Sequence, residues 1–407
     1  MSKRVLFLMS DTGGGHRAAA EAIAEALHLK YGDKVDIELV DVFKSYSPFP
    51  WNFMPEFYPW LISHGKSSWG MGYKLSNTPQ RAKVLSRGMY LTVEARIKKM
   101  MREHPADVVV SVHSLLTPLA MQALYTRETR PPFVGVITDL VSTHMFAYDR
   151  RADRTLVPTQ PAYERGLEAG IPPERMQITG LPVHPRFSEG LPSKAEARQT
   201  LGWNATLPTL LIVGGGDGMG PLYKTARAIN SRRLKCQLVI IAGRNKLLKE
   251  QLEENHWNQP THIYGFVNDM PRFMSGADVL VSKAGPSTIC EACIAGLPMI
   301  LYDAIPGQET GNVDYVVANE AGVFAPSPRE VVDAAQMWLA EGGKGLERRS
   351  QNASRLGRPN AVWEIAEEVW EYAHKPPVAT GRRNIFKDVA SRSALLTSIE
   401  QSMGGRR

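Results

Sequence analysis

The sequence predicts an α/β protein built from two Rossmann-like, doubly wound domains that face each other across a cleft. Three observations carry that expectation. A strand-to-glycine opening stands near the N-terminus, an opening of the same form recurs from Pro208, and short apolar runs alternate with helical segments after each. The chain has 407 residues, enough for two to three domains at roughly 100–200 residues each. With 43% hydrophobic and 22% charged residues, its composition excludes a disorder-dominated chain.

The first run, RVLFLMS at 4–10, is continuously apolar, as a strand buried in a parallel sheet must be. A Gly-rich turn and an Ala-rich helical stretch at 17–30 follow it. Strands are expected next at 35–42, 107–112, 133–138 and 154–157. From Pro208 the pattern restarts with PTLLIVGGG, a helix near 222–230, and strands at 237–242, 262–264, 278–281 and 299–302. The Pro- and Gly-marked passage 180–192 is the expected hinge. The domains are therefore placed at 1–185 and 193–374, with a basic tail at 375–407 for which disorder is the expectation.

Two segments stand outside the alternation. Residues 43–80 crowd together Trp51, Phe53, Phe57, Tyr58, Trp60 and Trp69, and a helix rich in Arg and Lys follows. Tyr and Trp suit the headgroup level of a bilayer, and basic residues are attracted to an anionic leaflet. Trp51, Phe53, Trp60 and Trp69 are the expected membrane contacts; an aromatic satellite core is the alternative. The tail is the second outlier, with Arg382, Arg383, Lys387, Arg392, Arg406 and Arg407 against Asp388 and Glu400.

Lys plus Arg number 48 against 41 Asp plus Glu, a net charge of +7 that favours anionic partners. The three cysteines, Cys236, Cys290 and Cys293, are too few for a disulfide framework and point to a reducing compartment. The Cys290-x-x-Cys293 pair lies in an apolar helical stretch and reads as small core residues. The N-terminal run ends within a few residues in Ser, Asp, Thr and Gly, so it reads as a strand and not as a signal peptide. No run approaches the ~18 apolar residues of a membrane span, so membrane contact is expected to be peripheral.

The first glycine loop leads through Gly14 and Gly15 to His16 at the start of a helix. Unpaired N–H groups and a positive dipole end make such a place an anion site and keep an imidazole neutral, available as a base. Gly13, Gly15 and Ala18 also satisfy G-x-G-x-x-A, with Asp41 ending the next strand, so a nicotinamide or flavin dehydrogenase is a live alternative. The stronger signal is in the second domain, DVLVSKAGPSTICEACIAGLP at 278–298 and YDAIPGQETGN at 302–312. Strand, Gly285, Ser287 and Thr288, then a helix, would offer donors to a diphosphate. Glu291, one turn on, could accept two ribose hydroxyls, and Gln308, Glu309 and Asn312 suit sugar hydroxyls. No D-x-D metal motif stands at the donor loop.

The segments TGGGHRAAAEAI, SVHSLL, VITDLVSTH, GLPVHPRF, GGGDGMG, SKAGPSTICEA and GQETGN, in this order, resemble the monogalactosyldiacylglycerol synthase family. That family is related to processive diacylglycerol glucosyltransferases and the lipid II-forming N-acetylglucosaminyltransferase. The resemblance implies a GT-B fold and a metal-independent, inverting transfer of a hexose from a UDP-sugar to diacylglycerol. Galactose is favoured and glucose is the alternative. It implies His16 as the base with Asp139 as its competitor, and Gly14, Gly15, His113 and His144 on the acceptor side. On the donor side it implies Gly215 and Gly216 near the phosphates, the backbone of Phe266 and Val267 at the uracil, Gly285, Ser287 and Thr288 at the diphosphate, Glu291 at the ribose, and Gln308, Glu309 and Asn312 at the sugar. No metal or cofactor is expected. The expected partners are UDP-sugar, diacylglycerol and an anionic membrane surface, without nucleic acid, and the expected place is cytoplasmic, on the inner face of the plasma membrane. A non-catalytic lipid- or nucleotide-binding protein and a UDP-sugar epimerase are the other readings.

Overall fold

The strands of the first half are β1 (Lys3–Met9), β2 (Val35–Asp41), β3 (Val108–Ser111), the two-residue β4 (Thr129–Arg130), β5 (Phe133–Val136), β6 (Arg154–Val157) and β7 (Met176–Ile178). Those of the second are β8 (Thr209–Val213), β9 (Gln237–Ile241), β10 (Thr261–Tyr264), β11 (Val279–Lys283), β12 (Met299–Asp303) and β13 (Gly322–Phe324), with a short β14 (Val378–Ala379) near the end. These assignments come from a computed structural model, which describes residues 2–12, 14–218 and 220–381. Two six-stranded parallel sheets result, ordered β2-β1-β3-β5-β6-β7 and β10-β9-β8-β11-β12-β13. Parallel pairing needs a crossover after each strand and buries both faces, which is why the strands read as unbroken apolar runs. In each sheet the order reverses beside the first strand, and loops at the carboxyl ends of strands around that point form a crevice.

The first sheet is covered on one side by the helix Gly15–Tyr31, whose Ala20, Ile23 and Leu27 pack on Val5 and Phe7. The helix Pro79–Glu103 covers the other side through Tyr90, Val93, Ile97 and Met100. In the second half the hinge side is covered by Ile289, Ala292 and Cys293 of the helix Pro286–Ile294. Cys293 and Cys236 are buried, Cys290 is half-buried, and burial pushes all three thiols up, to about 12 for Cys293 and about 11 for Cys236, as befits core residues.

The structure redraws three boundaries. The last helix, Ala361–His374, belongs by sequence order to the second domain, yet Val362, Ile365, Ala366 and Val369 are buried against β1, β3 and the Gly15–Tyr31 helix of the first. An apolar face made by the final turns of a chain packs wherever a complementary face is left open, whatever its sequence neighbours. Residues 375–381 are likewise attached, since Val378 pairs with Arg130 through β14 and β4. The expected tail beyond them, 382–407, lies outside the described residues. The passage 180–192 runs between the two sheets, and its Leu181, Val183 and Phe187 are buried in the core of the second half. Gly180 sits at φ +104°, and a Cβ there would come within 2.8 Å of both Arg358 and Ala361, where the chain crosses back.

Candidate active site

His16 lies in the first turn of the Gly15–Tyr31 helix, which begins after Gly14 in the left-handed region at φ 76°. Its Nδ1 is 2.9 Å from the Val112 carbonyl and 3.1 Å from the Thr138 hydroxyl. A carbonyl only accepts, so Nδ1 carries the hydrogen and Nε2 keeps its lone pair. Burial pulls the imidazole down to about 4, against the smaller opposing effect of the Val112 carbonyl. It is therefore a neutral base at neutral pH. His113 stands beside it, ring centroids 4.3 Å apart, but both its nitrogens are engaged. Nδ1 accepts from Leu115 N at 3.2 Å, and Nε2 donates to the Thr12 hydroxyl at 3.0 Å. His144 is engaged in the same way, accepting from Phe146 N at Nδ1 and donating to Ser76 at 2.9 Å. Neither is free to face a substrate as the sequence suggests; both hold loops in place.

Asp139 follows β5 at the cleft, buried, with its carboxyl raised to about 7 first by burial and then by the nearby Glu309 carboxylate. A hydrogen bond from Gln308 opposes the rise. Asp41, the acid expected at a ribose in the dehydrogenase reading, accepts from Asp11 N and caps the next short helix through Lys44 N. Both oxygens serve the turn.

The donor side is assembled by the helix Pro286–Ile294. Its N-cap is Gly285 and no side chain caps it, so the first N–H groups and the positive dipole end are left open in the turn that carries Ser287 and Thr288. A Cβ on Gly15 would lie 3.9 Å from Ser287 Oγ, so the first glycine opening and the start of this helix meet across the cleft. Lys283, at the end of β11, lies beside Gly215 and Gly285 and pairs with Glu309 at 2.9 Å. The sequence reading passed over this lysine, although SKAGPST places it two residues before the glycine. Glu291, one turn into the helix, has no hydrogen bond or ion pair among the described residues, and burial raises its carboxyl to about 8. A half-buried acid with no partner among the described residues marks a place for a donor from outside the protein.

Gly216 is approached by the Arg244 guanidinium, and Arg244 also stacks 5.2 Å over the exposed Phe266 ring and pairs with Asp217. Val267 packs against the core. In the loop after β12, Glu309 is held by Lys283 and by Ile305 N at 3.0 Å. Asn312 differs from expectation: it is fully buried, and its amide is spent on the Ala284 carbonyl at 3.0 Å, so it shapes the loop before the donor helix and only Oδ1 is left without a partner.

The aromatic excursion is folded as two helices, Met54–His64 and Lys66–Ser76, and it has two faces. Phe49, Phe53, Phe57 and Trp60 are 78, 52, 46 and 54% exposed. Trp51 and Trp69, expected among the membrane contacts, turn inward instead. Trp51 packs on the first core and donates to Thr92, while Trp69 meets the Tyr58 ring edge-on at 5.3 Å. The inner face closes on the donor loop. Tyr58 donates to Gln308 Oε1 at 2.9 Å, and Lys66 Nζ lies 2.7 and 2.6 Å from the two oxygens of Asp303.

A family model described as monogalactosyldiacylglycerol (MGDG) synthase matches residues 16–183, and one described as glycosyltransferase family 28 C-terminal domain matches 209–322. The chain is 38% identical over 394 residues to the probable monogalactosyldiacylglycerol synthase 2, chloroplastic, of Oryza sativa subsp. japonica, covering 93% of this chain and 82% of that protein. It is 38% identical over 383 residues to monogalactosyldiacylglycerol synthase 1, chloroplastic, of Arabidopsis thaliana, covering 92% and 72%. Among solved structures, MurG of Acinetobacter baumannii matches with a TM-score of 0.59 at 16% identity, covering 91% of this chain and 99% of that one. A UDP-GlcNAc 2-epimerase from Neisseria meningitidis bound to UDP-GlcNAc matches at 0.55 and 14%, covering 90% and 100%. These show the GT-B fold, which does not by itself choose between transferase and epimerase. The relatives correct the expected place at the inner face of a plasma membrane, because they are named chloroplastic; exposed aromatics and basic charge suit any anionic leaflet and carry no compartment address. Among the described residues no helix is long and apolar enough to cross a membrane. With 38% identity across more than nine-tenths of its length, and with both family models matched in tandem, this chain belongs to the monogalactosyldiacylglycerol synthase family of glycosyltransferases.

Proposed function

We propose that this chain moves a hexose, galactose before glucose, from a UDP-sugar to the free hydroxyl of 1,2-diacylglycerol at an anionic lipid surface, giving a β-glycosyl diacylglycerol. One observation carries the reading: a neutral His16, whose Nε2 has no partner among the described residues, stands across a single cleft from a helix N-terminus without a side-chain cap and from Glu291, likewise without a partner among them. Family membership supports the choice of sugar and acceptor.

The reaction follows from those groups. The diacylglycerol oxygen attacks the anomeric carbon while His16 Nε2 takes its proton. The bond from that carbon to the diphosphate oxygen breaks, and UDP leaves with the electron pair. A single displacement inverts the anomeric centre. The charge that grows on the leaving diphosphate is met by the N–H groups and hydroxyls of Ser287 and Thr288, by the helix dipole and by Lys283. Glu291 receives the ribose hydroxyls, Gly215 and Gly216 allow the phosphates close, and the backbone at Phe266 and Val267 reads the uracil. Gln308 and Glu309 face the sugar. Asp139, held near neutrality by burial and Glu309, is the competing base. The exposed face of Phe53, Phe57 and Trp60 supports docking on a lipid surface, where diacylglycerol is found.

The test is incubation of the purified protein with vesicles of diacylglycerol and anionic lipid, with either UDP-galactose or UDP-glucose, followed by mass and NMR analysis of the extracted lipid. A β-galactosyl product is expected. Absence of glycolipid from both donors, in protein that binds UDP, would overturn the reading in favour of epimerase or sensing activity.

A further inference from the structure

The aromatic excursion leaves the first domain, yet its inner face is built against the donor loop of the second. Tyr58 gives its hydroxyl hydrogen to Gln308 Oε1, which leaves the Gln308 amide hydrogens to the Asp139 carboxyl. Lys66 is held between both oxygens of Asp303, the residue at which β12 ends and the loop begins. Tyr73 donates to the Ser142 carbonyl at 2.5 Å, and the hydroxyl of the same Ser142 accepts from Gly311 N at 3.0 Å. The backbones approach closely here. A Cβ on Gly70 would lie 2.7 Å from Pro306 Cβ, and one on Gly307, at φ +81°, would lie 3.0 Å from the Tyr73 ring. The loop from Asp303 to Gly311 is thus gripped along its length by one helix pair whose opposite face is the exposed aromatic patch.

We propose that the excursion is the missing wall of the donor site. Tyr58, acting through Gln308, and Lys66, acting through Asp303, are positioning residues that hold the loop in the shape that reads the hexose. This rests on the UDP-hexose reading above and deepens it: the sugar pocket is complete only when the lipid-facing excursion is seated, so the element that meets the interface also sets hexose affinity. The nucleotide half of the donor is held by the glycine loops and the backbone donors of the Pro286–Ile294 helix, which the excursion does not supply, so UDP affinity is expected to depend on it little.

The experiment compares UDP with UDP-hexoses by calorimetry on the full chain, with Tyr58→Phe and Lys66→Met. Tyr58→Phe keeps the ring against Trp69 and removes only the hydroxyl. The expected result is a five- to tenfold loss of affinity for the UDP-hexose that the wild-type protein binds best, with UDP affinity and melting temperature unchanged. In turnover on diacylglycerol vesicles, KM for the donor rises more than kcat falls. Unchanged hexose affinity in both variants overturns the proposal. So does an equal loss for UDP and UDP-hexose with a lowered melting temperature, the signature of a merely structural contact. UDP-galactose, UDP-glucose and UDP-N-acetylglucosamine are all titrated, so failure of the galactose reading shows as a different preferred sugar, on which the variants are still read. A wild-type protein that binds no UDP-hexose differently from UDP overturns both.

Discussion

Two helix starts at the cleft share a frame and do opposite work. In the first, the helix begins at Gly15 and the opening turn carries a side chain, His16, whose Nδ1 is tied to Val112 so that Nε2 is left as a base. In the second, the helix Pro286–Ile294 begins at Gly285 with no side-chain cap, and its start offers backbone donors and Glu291, which has no partner among the described residues. One end takes a proton and the other receives negative charge. A helix N-terminus suits both tasks, because its positive end disfavours imidazolium and favours phosphate. The difference lies in what fills the turn.

The largest expected effect breaks this comparison at its first half. His16→Ala should lower kcat by 10²- to 10⁴-fold, the usual share of a general base, while UDP affinity stays within about twofold of wild type, because the donor loop is untouched. The pH dependence sharpens it. His16 is held down to about 4, so it remains unprotonated above that value, and activity limited by it falls only as pH drops through about 4. Asp139 is held up at about 7, and a reaction using it as base loses activity on descending through neutrality. A kcat/KM profile with its acid limb near 7, abolished in Asp139→Asn, would move the base to Asp139.

Lys283→Ala should come next, lowering kcat by about a hundredfold, in the range seen when one charge-stabilising group is removed. It also strips the partner from buried Glu309, so the loss should exceed that of Glu309→Gln. Equal losses would assign the lysine to holding the loop and leave the leaving diphosphate to the helix end alone.

Most of the frame was legible, and the reasons for the misses are physical. Continuous apolar runs give away buried parallel strands, so β1, β3, β5, β8 and β11 are found within two residues of their ends. β7 and β13 are only three residues each, and β7 is half-exposed, so neither leaves a clear periodic trace. The helix Ala361–His374 is plain as a helix, but its apolar face does not say which sheet it will cover. At the site, residues that sit on glycine loops were legible by type. Tyr58 and Lys66 were not, because their roles come from approach across the cleft, over as many as 250 positions of sequence for Tyr58 and Gln308, and Lys283 was not, because Gly215 and Glu309 reach it only when the second sheet is assembled. His113 and His144 carried the right residue type, and only the second nitrogen of each ring shows that they are spent.

Glu291 tests the second half of the comparison with two opposite signs. Its folded carboxyl is raised to about 8 from an ordinary 4.5, so the ligand-free protein is penalised increasingly as pH rises from about 4.5 towards 8, where the unfolded chain ionises freely. Glu291→Gln should therefore raise the melting temperature of the free protein by a few degrees at pH 8 and leave it unchanged at pH 4. The same change should weaken UDP by about 10- to 50-fold, since two hydrogen bonds to a charged acceptor are lost. Ribose hydroxyls favour the ionised form, so binding of UDP at pH 7 should release a proton from the wild-type protein and none from the variant. Calorimetry in buffers of different ionisation heat reads that proton directly, and its absence in the wild type would remove Glu291 from the ribose.

The smallest effect belongs to the face that neither opening touches. Trp60 and Phe57 stack at 5.4 Å on the outside of the excursion, and full burial of one such ring is worth roughly 1.5–3 kcal/mol. A ring that enters only the headgroup level recovers part of that. Trp60→Ala should thus lower partitioning onto anionic diacylglycerol vesicles by about three- to tenfold in a sedimentation assay, with UDP and UDP-hexose affinity unaltered in the absence of vesicles. Tyr58 lies two residues earlier on the same helix and faces the other way. The pair therefore separates the interface from the donor wall within a single turn: loss of vesicle binding from Tyr58→Phe, or loss of hexose affinity from Trp60→Ala, would mean that the two faces of this helix do not act as the fold arranges them.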